Sequence, residues 1–149
     1  MTGRPSVRRV SVVGSPGAGK STVARALAAA LDVPVLELDG LGDDLRTRVD
    51  EFTARGAWVV EGNDFEMATR DVVWPRADAI VWLDLPRSLI VRRLFSRALR
   101  RDGRAAIRDA WTMHAERRER FEEGLIGLDA ELARLRSPAA VKKFLAALG

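Results

Sequence analysis

Val10-Ser11-Val12-Val13-Gly14-Ser15-Pro16-Gly17-Ala18-Gly19-Lys20-Ser21-Thr22 joins a short apolar run to a glycine-rich turn. Ser21 to Leu31 follow as an Ala-rich segment with Val23, Leu27 and Leu31 at helical spacing, so the order is strand, loop, helix. The same alternation continues outward. Val33 to Leu38 reads as a second strand, and Leu41 to Arg55 as a helix with Leu45, Val49 and Phe52 on one face, ended by Gly56. Ala57 to Val60 is a third strand, Asp64 to Val73 a short helix, and Ala79 to Leu83 a fourth strand stopped by Pro86. Helices are expected over Arg87 to Arg101 and, after a break at Gly103, over Ala105 to Glu123. Leu132 to Leu135 completes the strands and Pro138 to Leu148 the helices. Nearly all-apolar strands alternating with helices imply an α/β fold of three layers, a parallel sheet covered on both faces. No repeat, linker or low-complexity tract divides it, and one domain over residues 1–149 is expected.

Composition removes several kinds of chemistry. Zero Cys excludes disulfides, thiolate metal sites and cysteine catalysis, and the single His leaves no basis for an imidazole-rich zinc site. No apolar run approaches the roughly 20 residues of a membrane helix, and the start MTGRPSVRR leads into no signal-type cleavage site, so a cytoplasmic protein without a membrane partner is expected. The net charge of +4 is uneven: residues 87–120 carry 11 basic and 4 acidic side chains and hold all of the positive excess. Such a segment suits either a nucleic acid or an arginine-rich lid closing over phosphates. No helix-turn-helix or zinc finger is legible, and nucleic acid is not the expected partner.

Gly14-Ser15-Pro16-Gly17-Ala18-Gly19-Lys20-Ser21 fits GxxxxGK[ST] between a strand and a helix, as a phosphate-cradling loop requires. Glycines let consecutive N–H groups curl around an anion, and the following helix offers its positive dipole end. The expected nucleotide-binding set is therefore Gly14, Ser15, Pro16, Gly17, Ala18, Gly19, Lys20, Ser21 and Thr22. Lys20 is placed to reach the β- and γ-phosphates, and the Ser21 hydroxyl to ligate Mg²⁺. Ligands of open parallel sheets bind beyond the carboxyl ends of the strands, where Asp39, Glu61 and Asp84 follow strands two, three and four. Each is a candidate for the magnesium shell or for accepting a proton, with a cap or solvated turn as the alternative. Arg93 and Arg97 share a helix face, with Arg117, Arg118 and Arg120 clustered after the break. Arginines from such a segment stabilise charge in phosphoryl transfer, although any one of them equally suits a solvated, ion-paired face. His114 reads as structural, and Trp58, Trp74 and Trp82 as core. Arg136-Ser137-Pro138, in the turn before the last helix, either edges a nucleotide base or forms a plain turn.

Four blocks in order, VSVVGSPGAGKSTVARALAAAL, WVVEGND, RDVVWPRADAIVWLDLPRSLIVRRLFSR and RLRSPAAVKKFL, resemble the adenylate-kinase-like P-loop proteins called DNA topology modulation proteins. The resemblance covers nearly the whole chain. It implies a five-stranded parallel sheet of order 2-3-1-4-5, binding of ATP and magnesium, and transfer of the γ-phosphate to a small acceptor such as a nucleoside monophosphate. By position, Glu61 before Gly62-Asn63 matches the acid that contacts the magnesium shell, and Asp39 the acid near the acceptor. Arg93 and Arg97 match the arginines opening the lid, one stacking on adenine and one reaching phosphate. Arg117 or Arg118 resembles the returning lid arginine, and Arg136 and Pro138 the loop edging the adenine. The lid then spans about residues 97–118. Where relatives have an aromatic stretch and a longer lid insertion, this chain has Gly40-Leu41-Gly42-Asp43-Asp44 and Asp102-Gly103-Arg104-Ala105-Ala106, with Asp64 in place of a frequent aromatic. A short lid excludes water less completely, which predicts slow ATP hydrolysis beside transfer. The competing expectation is a nucleotide-binding regulatory module, DNA-associated, with little phosphotransfer.

Overall fold

The computed structural model describes residues 7–15, 17–63, 65–98 and 104–148. Five strands form one sheet: β1 (Arg9–Gly14), β2 (Val35–Glu37), β3 (Trp58–Glu61), β4 (Ala79–Leu83) and β5 (Glu131–Leu135). All pairings are parallel and the order is β2-β3-β1-β4-β5, as the resemblance implies. The helices are α1 (Lys20–Leu31), α2 (Leu45–Thr53), α3 (Trp74–Arg76), α4 (Arg87–Ala98), α5 (Arg104–Leu125) and α6 (Pro138–Leu148).

Successive strand residues point to opposite faces, and each face has its own core. On one, Val10, Val12, Val59, Val81 and Leu83 meet Val23, Ala24, Leu27 and Ala28 of α1, with Ile90 of α4 and the half-buried Val141 and Phe144 of α6. On the other, Val13, Trp58, Val60, Ile80 and Trp82 meet Leu45 and Val49 of α2, Trp74 of α3 and Phe121 of α5. Phe121 stands edge-on to Trp82 with ring centroids 5.5 Å apart. Two buried indole N–H groups find acceptors: Trp74 donates to Ser11 Oγ (3.1 Å) and Trp58 to the Thr53 carbonyl (3.2 Å). The three tryptophans expected in the core are there.

Three boundaries differ from the periodicity. The second strand is shorter than Val33 to Leu38, because Pro34 brings no N–H and Leu38 has left the ladder, although its N–H still reaches the Glu61 carbonyl at 2.9 Å. The helix expected from Leu41 begins at Leu45 after a 3₁₀ turn over Gly42–Asp44. The segment expected as an ordinary short helix winds as a π-helix over Phe65–Val73 and continues into α3. It buries Ala68, Thr69, Val72 and Val73, and Trp74 after them. Asp64 and the break at Gly103 lie outside the described residues.

Candidate nucleotide-binding site

The register aligns the carboxyl ends that carry the candidate residues: Val12 lies opposite Glu61, Gly14 opposite Leu83, and Leu83 opposite Leu135. Beyond β1 the chain turns into α1 through Gly19, whose φ of 91° is left-handed backbone that a side chain would disfavour. That turn starts the helix at Lys20, so the helix N-terminus faces the loop. Pro16 lies outside the described residues. The Lys20 ammonium donates to the Gly14 carbonyl at 3.0 Å.

Glu61 is the most informative side chain here. It is the last residue of β3, 3% exposed, and close enough to the Ser21 hydroxyl for that group to favour its charged form. Burial raises its pKa above the ordinary glutamate value, Lys20 opposes that, and Asp39 and Glu37 add to it. The folded protein therefore holds this proton more tightly than the unfolded chain. Stability from it is complete below the ordinary glutamate pKa and is lost as pH rises through the raised value. Urea midpoints measured from about pH 4 to 7 should fall across that interval, and Glu61→Gln should flatten the slope.

The residues that follow hold the loop from the side. Gly62 adopts φ 137°, and a Cβ there would sit 2.7 Å from Leu38 Cβ, so only glycine lets the chain pass. Asn63 then pairs with both backbone groups of Gly14: its Oδ1 accepts the Gly14 N–H at 3.0 Å and its Nδ2 donates to the Gly14 carbonyl. Asn63 is absent from the residues expected to form the site, and its position directly after an acid-Gly pair was the available signal. From α4, Arg93 donates to the Gly17 and Ala18 carbonyls, both at 3.3 Å. Arg93 is thus brought to the phosphate loop. The side chain of Arg97 lies outside the described residues. Asp39 is exposed just beyond β2, near enough to influence Glu61.

A second group of candidates assembles elsewhere. Asp84, weighed beside Glu61 for the metal shell, has a side chain 3% exposed and is held by guanidinium groups. Arg134 of β5 donates to its Oδ2 at 2.8 Å, Arg118 of α5 at 3.1 Å, and Arg136 lies 3.8 Å away. Arg134 also pairs with Glu122 (2.9 Å) and lies 4.1 Å over the Trp82 ring. These contacts separate the two acids: Glu61 sits with Ser21 and Lys20, and Asp84 with three arginines. They also place Arg118 and Arg136 on Asp84 rather than on the phosphate loop. Beside this cluster a cleft of about 580 Å³ is lined by Asp84, Pro86, Arg87, His114, Arg118 and Arg136 among others. His114 is buried with Nε2 3.1 Å from the Leu85 carbonyl, the structural part expected of it. Arg117 is half-buried, and its Nη1 has no hydrogen-bond partner among the described residues. Burial lowers its pKa, and Arg120 adds to the effect. Ser137 caps α6 by accepting the Ala140 N–H at 3.1 Å, and Pro138 is exposed at the first position of that helix.

The model of the ATPase family associated with various cellular activities (AAA) matches residues 10–84, which run from β1 to the acid after β4. The chain belongs to this family. Within the AAA chain the matched half holds the phosphate loop, Asp39, Glu61 and Asp84, whereas the arginines of α4 and α5 lie beyond it. No curated protein matches in sequence. Similar solved structures include a shikimate kinase from Acinetobacter baumannii in complex with shikimate, 22% identical, with TM-score 0.64 over 96% of this chain and 91% of that one. A gluconokinase from Sinorhizobium meliloti is 20% identical, with TM-score 0.60 over 97% and 93%. A deoxyadenosine kinase from M. mycoides is 14% identical, with TM-score 0.58 over 94% and 96%. At these identities the likeness shows the P-loop kinase fold. Among the described residues no helix is long and apolar enough to cross a membrane.

Proposed function

We propose that this AAA-family chain is a magnesium-dependent phosphotransferase that passes the ATP γ-phosphate to a small acceptor. The observation that carries the reading is the buried Glu61 carboxylate, within electrostatic reach of Lys20 and Ser21, beside a GxxxxGK[ST] loop whose first carbonyl holds the Lys20 ammonium. Magnesium takes one or two protein oxygens and completes its shell with water and phosphate, so this oxygen pair fits it. Among the described residues no group of three or more His, Cys, Asp or Glu side chains offers an all-protein cage, and this chemistry needs none. When bound, the ion offsets charge on the phosphate oxygens.

The chain's own residues supply the rest. Backbone N–H groups of the loop and the start of α1 grip the phosphates, and Lys20 leaves the Gly14 carbonyl to reach them. Arg93 exchanges its loop carbonyls for the nucleotide. Arg117, with an unsatisfied buried Nη1, gains an anion as partner. Asp39 faces the acceptor hydroxyl and takes its proton. Arg97 is assigned to the lid by its place on α4. Arg136 and Pro138 edge the base, and Arg118 reaches phosphate only by leaving Asp84. One domain, working in the cytoplasm, completes the proposal. The finer resemblance to DNA topology modulation proteins rests on the sequence blocks alone.

The test is ADP formation from ATP and magnesium with a panel of acceptors. Nucleoside monophosphates lead it, followed by small hydroxy acids and nucleosides, the classes named for the solved relatives. One acceptor should raise the rate well above slow hydrolysis. ATP binding with no ADP from any acceptor would turn the reading into a nucleotide-responsive regulatory module.

A further inference from the structure

Gly14 closes β1 and opens the phosphate loop, and its carbonyl oxygen receives two donors, the Lys20 ammonium at 3.0 Å and the Asn63 side-chain amide. A carbonyl has two lone pairs, so both are accommodated. Their fates diverge when a triphosphate arrives. On the proposed function, on which this inference rests, the ammonium turns from Gly14 to a phosphate oxygen. A part-buried carbonyl abandoned by its donor is penalised, and that penalty would be subtracted from phosphate binding. Asn63 has no second duty and keeps its place.

We propose that Asn63 is a positioning residue of the phosphate loop, an amide clamp that holds Gly14 by both backbone groups and releases Lys20 for the phosphates. The chemistry requires an amide, which carries a donor and an acceptor side by side to meet the C=O and N–H of one residue. Aspartate offers acceptors alone and would set a carboxylate against the Gly14 carbonyl. The approach is set by Gly62, whose missing Cβ lets β3 run on against Leu38 and deliver Asn63 to the loop. The clamp joins the strand that ends in Glu61 to the loop that leads into Ser21, so the placing of Glu61 relative to Ser21 inherits its register.

The experiment is calorimetric titration of ATP and, separately, of inorganic tripolyphosphate into the wild type, Asn63→Ala and Asn63→Asp, with magnesium present and thermal unfolding recorded for each. Asn63→Ala should weaken both ligands by the same factor, about tenfold, because the clamp acts on the loop and tripolyphosphate has no base. Asn63→Asp should weaken both at least as much. Amide hydrogen exchange at Gly14 should quicken in Asn63→Ala, since its N–H loses the Oδ1 acceptor. Unchanged affinities with only a lowered melting temperature would overturn the proposal, as would loss of ATP binding with tripolyphosphate unaffected. A wild type that binds neither ligand would instead remove the phosphate-loop reading itself, before any variant is compared.

Discussion

Lys20→Ala should reduce ATP-dependent ADP formation by about a hundredfold to a thousandfold, the usual consequence of deleting a preorganised charge that meets developing negative charge. The site explains why the loss is that large. Lys20 is the cation beside the buried Glu61 carboxylate, and its ammonium stands at the loop's first carbonyl, within the curl that receives phosphate. Without it, phosphate oxygens would face Glu61 with one cation fewer. The fold should tolerate the change: Lys20 is half-buried, and its bond to Gly14 is duplicated by Asn63. The melting temperature without nucleotide should therefore move by only a few degrees, while the stabilisation conferred by ATP disappears. Lys20→Arg should not restore activity, because a planar fork cannot occupy the place of a compact ammonium. Full activity in Lys20→Ala would show that phosphate is held somewhere else.

The second large effect is on stability. Asp84→Ala should destabilise the protein by about 2–4 kcal/mol, read as a melting temperature lower by roughly 5–15 °C. Removing one partner of a buried ion pair costs most where the other partner is itself largely buried, and here that group is chiefly Arg134, 21% exposed, which would keep only its more exposed partner Glu122. Arg118 and Arg136 are 43% and 62% exposed and regain water, which is why the value lies toward the lower end for a buried pair. Asp84→Asn keeps an acceptor and the volume, and should cost less. Glu122→Ala, at the exposed end of the same chain of contacts, should change stability by less than about 0.5 kcal/mol. Equal losses from Asp84→Ala and Glu122→Ala would mean that burial does not set the strength of this cluster.

These two acids also show how far the sequence could be read. Strand, loop and helix followed from apolar runs and glycine punctuation because both faces of a parallel sheet are covered, which makes its strands conspicuous. The edge strands were harder. β5 is exposed on one side and carries Glu131 and Arg134, so its apolar signal is short, and β2 lost its ends to Pro34 and to the turn at Leu38. The π-helix could not be read, since the buried Ala68, Thr69, Val72 and Val73 fall at a spacing that an ordinary helix also satisfies. At the site, Glu61 and Asp84 look alike as single acids after apolar strands. What separates them is long-range: Ser21 and Lys20 reach one, and arginines from α5, β5 and the β5–α6 turn converge on the other. Arg118 and Arg136 moved with Asp84 for the same reason. Asn63 was passed over because its partner is backbone, and backbone contacts leave no residue pattern.

The central claim is that main-chain N–H groups and Lys20 at the β1–α1 turn grip the phosphates of a nucleotide. Isothermal titration of ATP with magnesium into the wild-type protein tests it most directly. A saturable one-to-one isotherm that vanishes in Lys20→Ala is the predicted result. No binding heat at any of several temperatures, with the melting temperature also unmoved by saturating ATP, would contradict it.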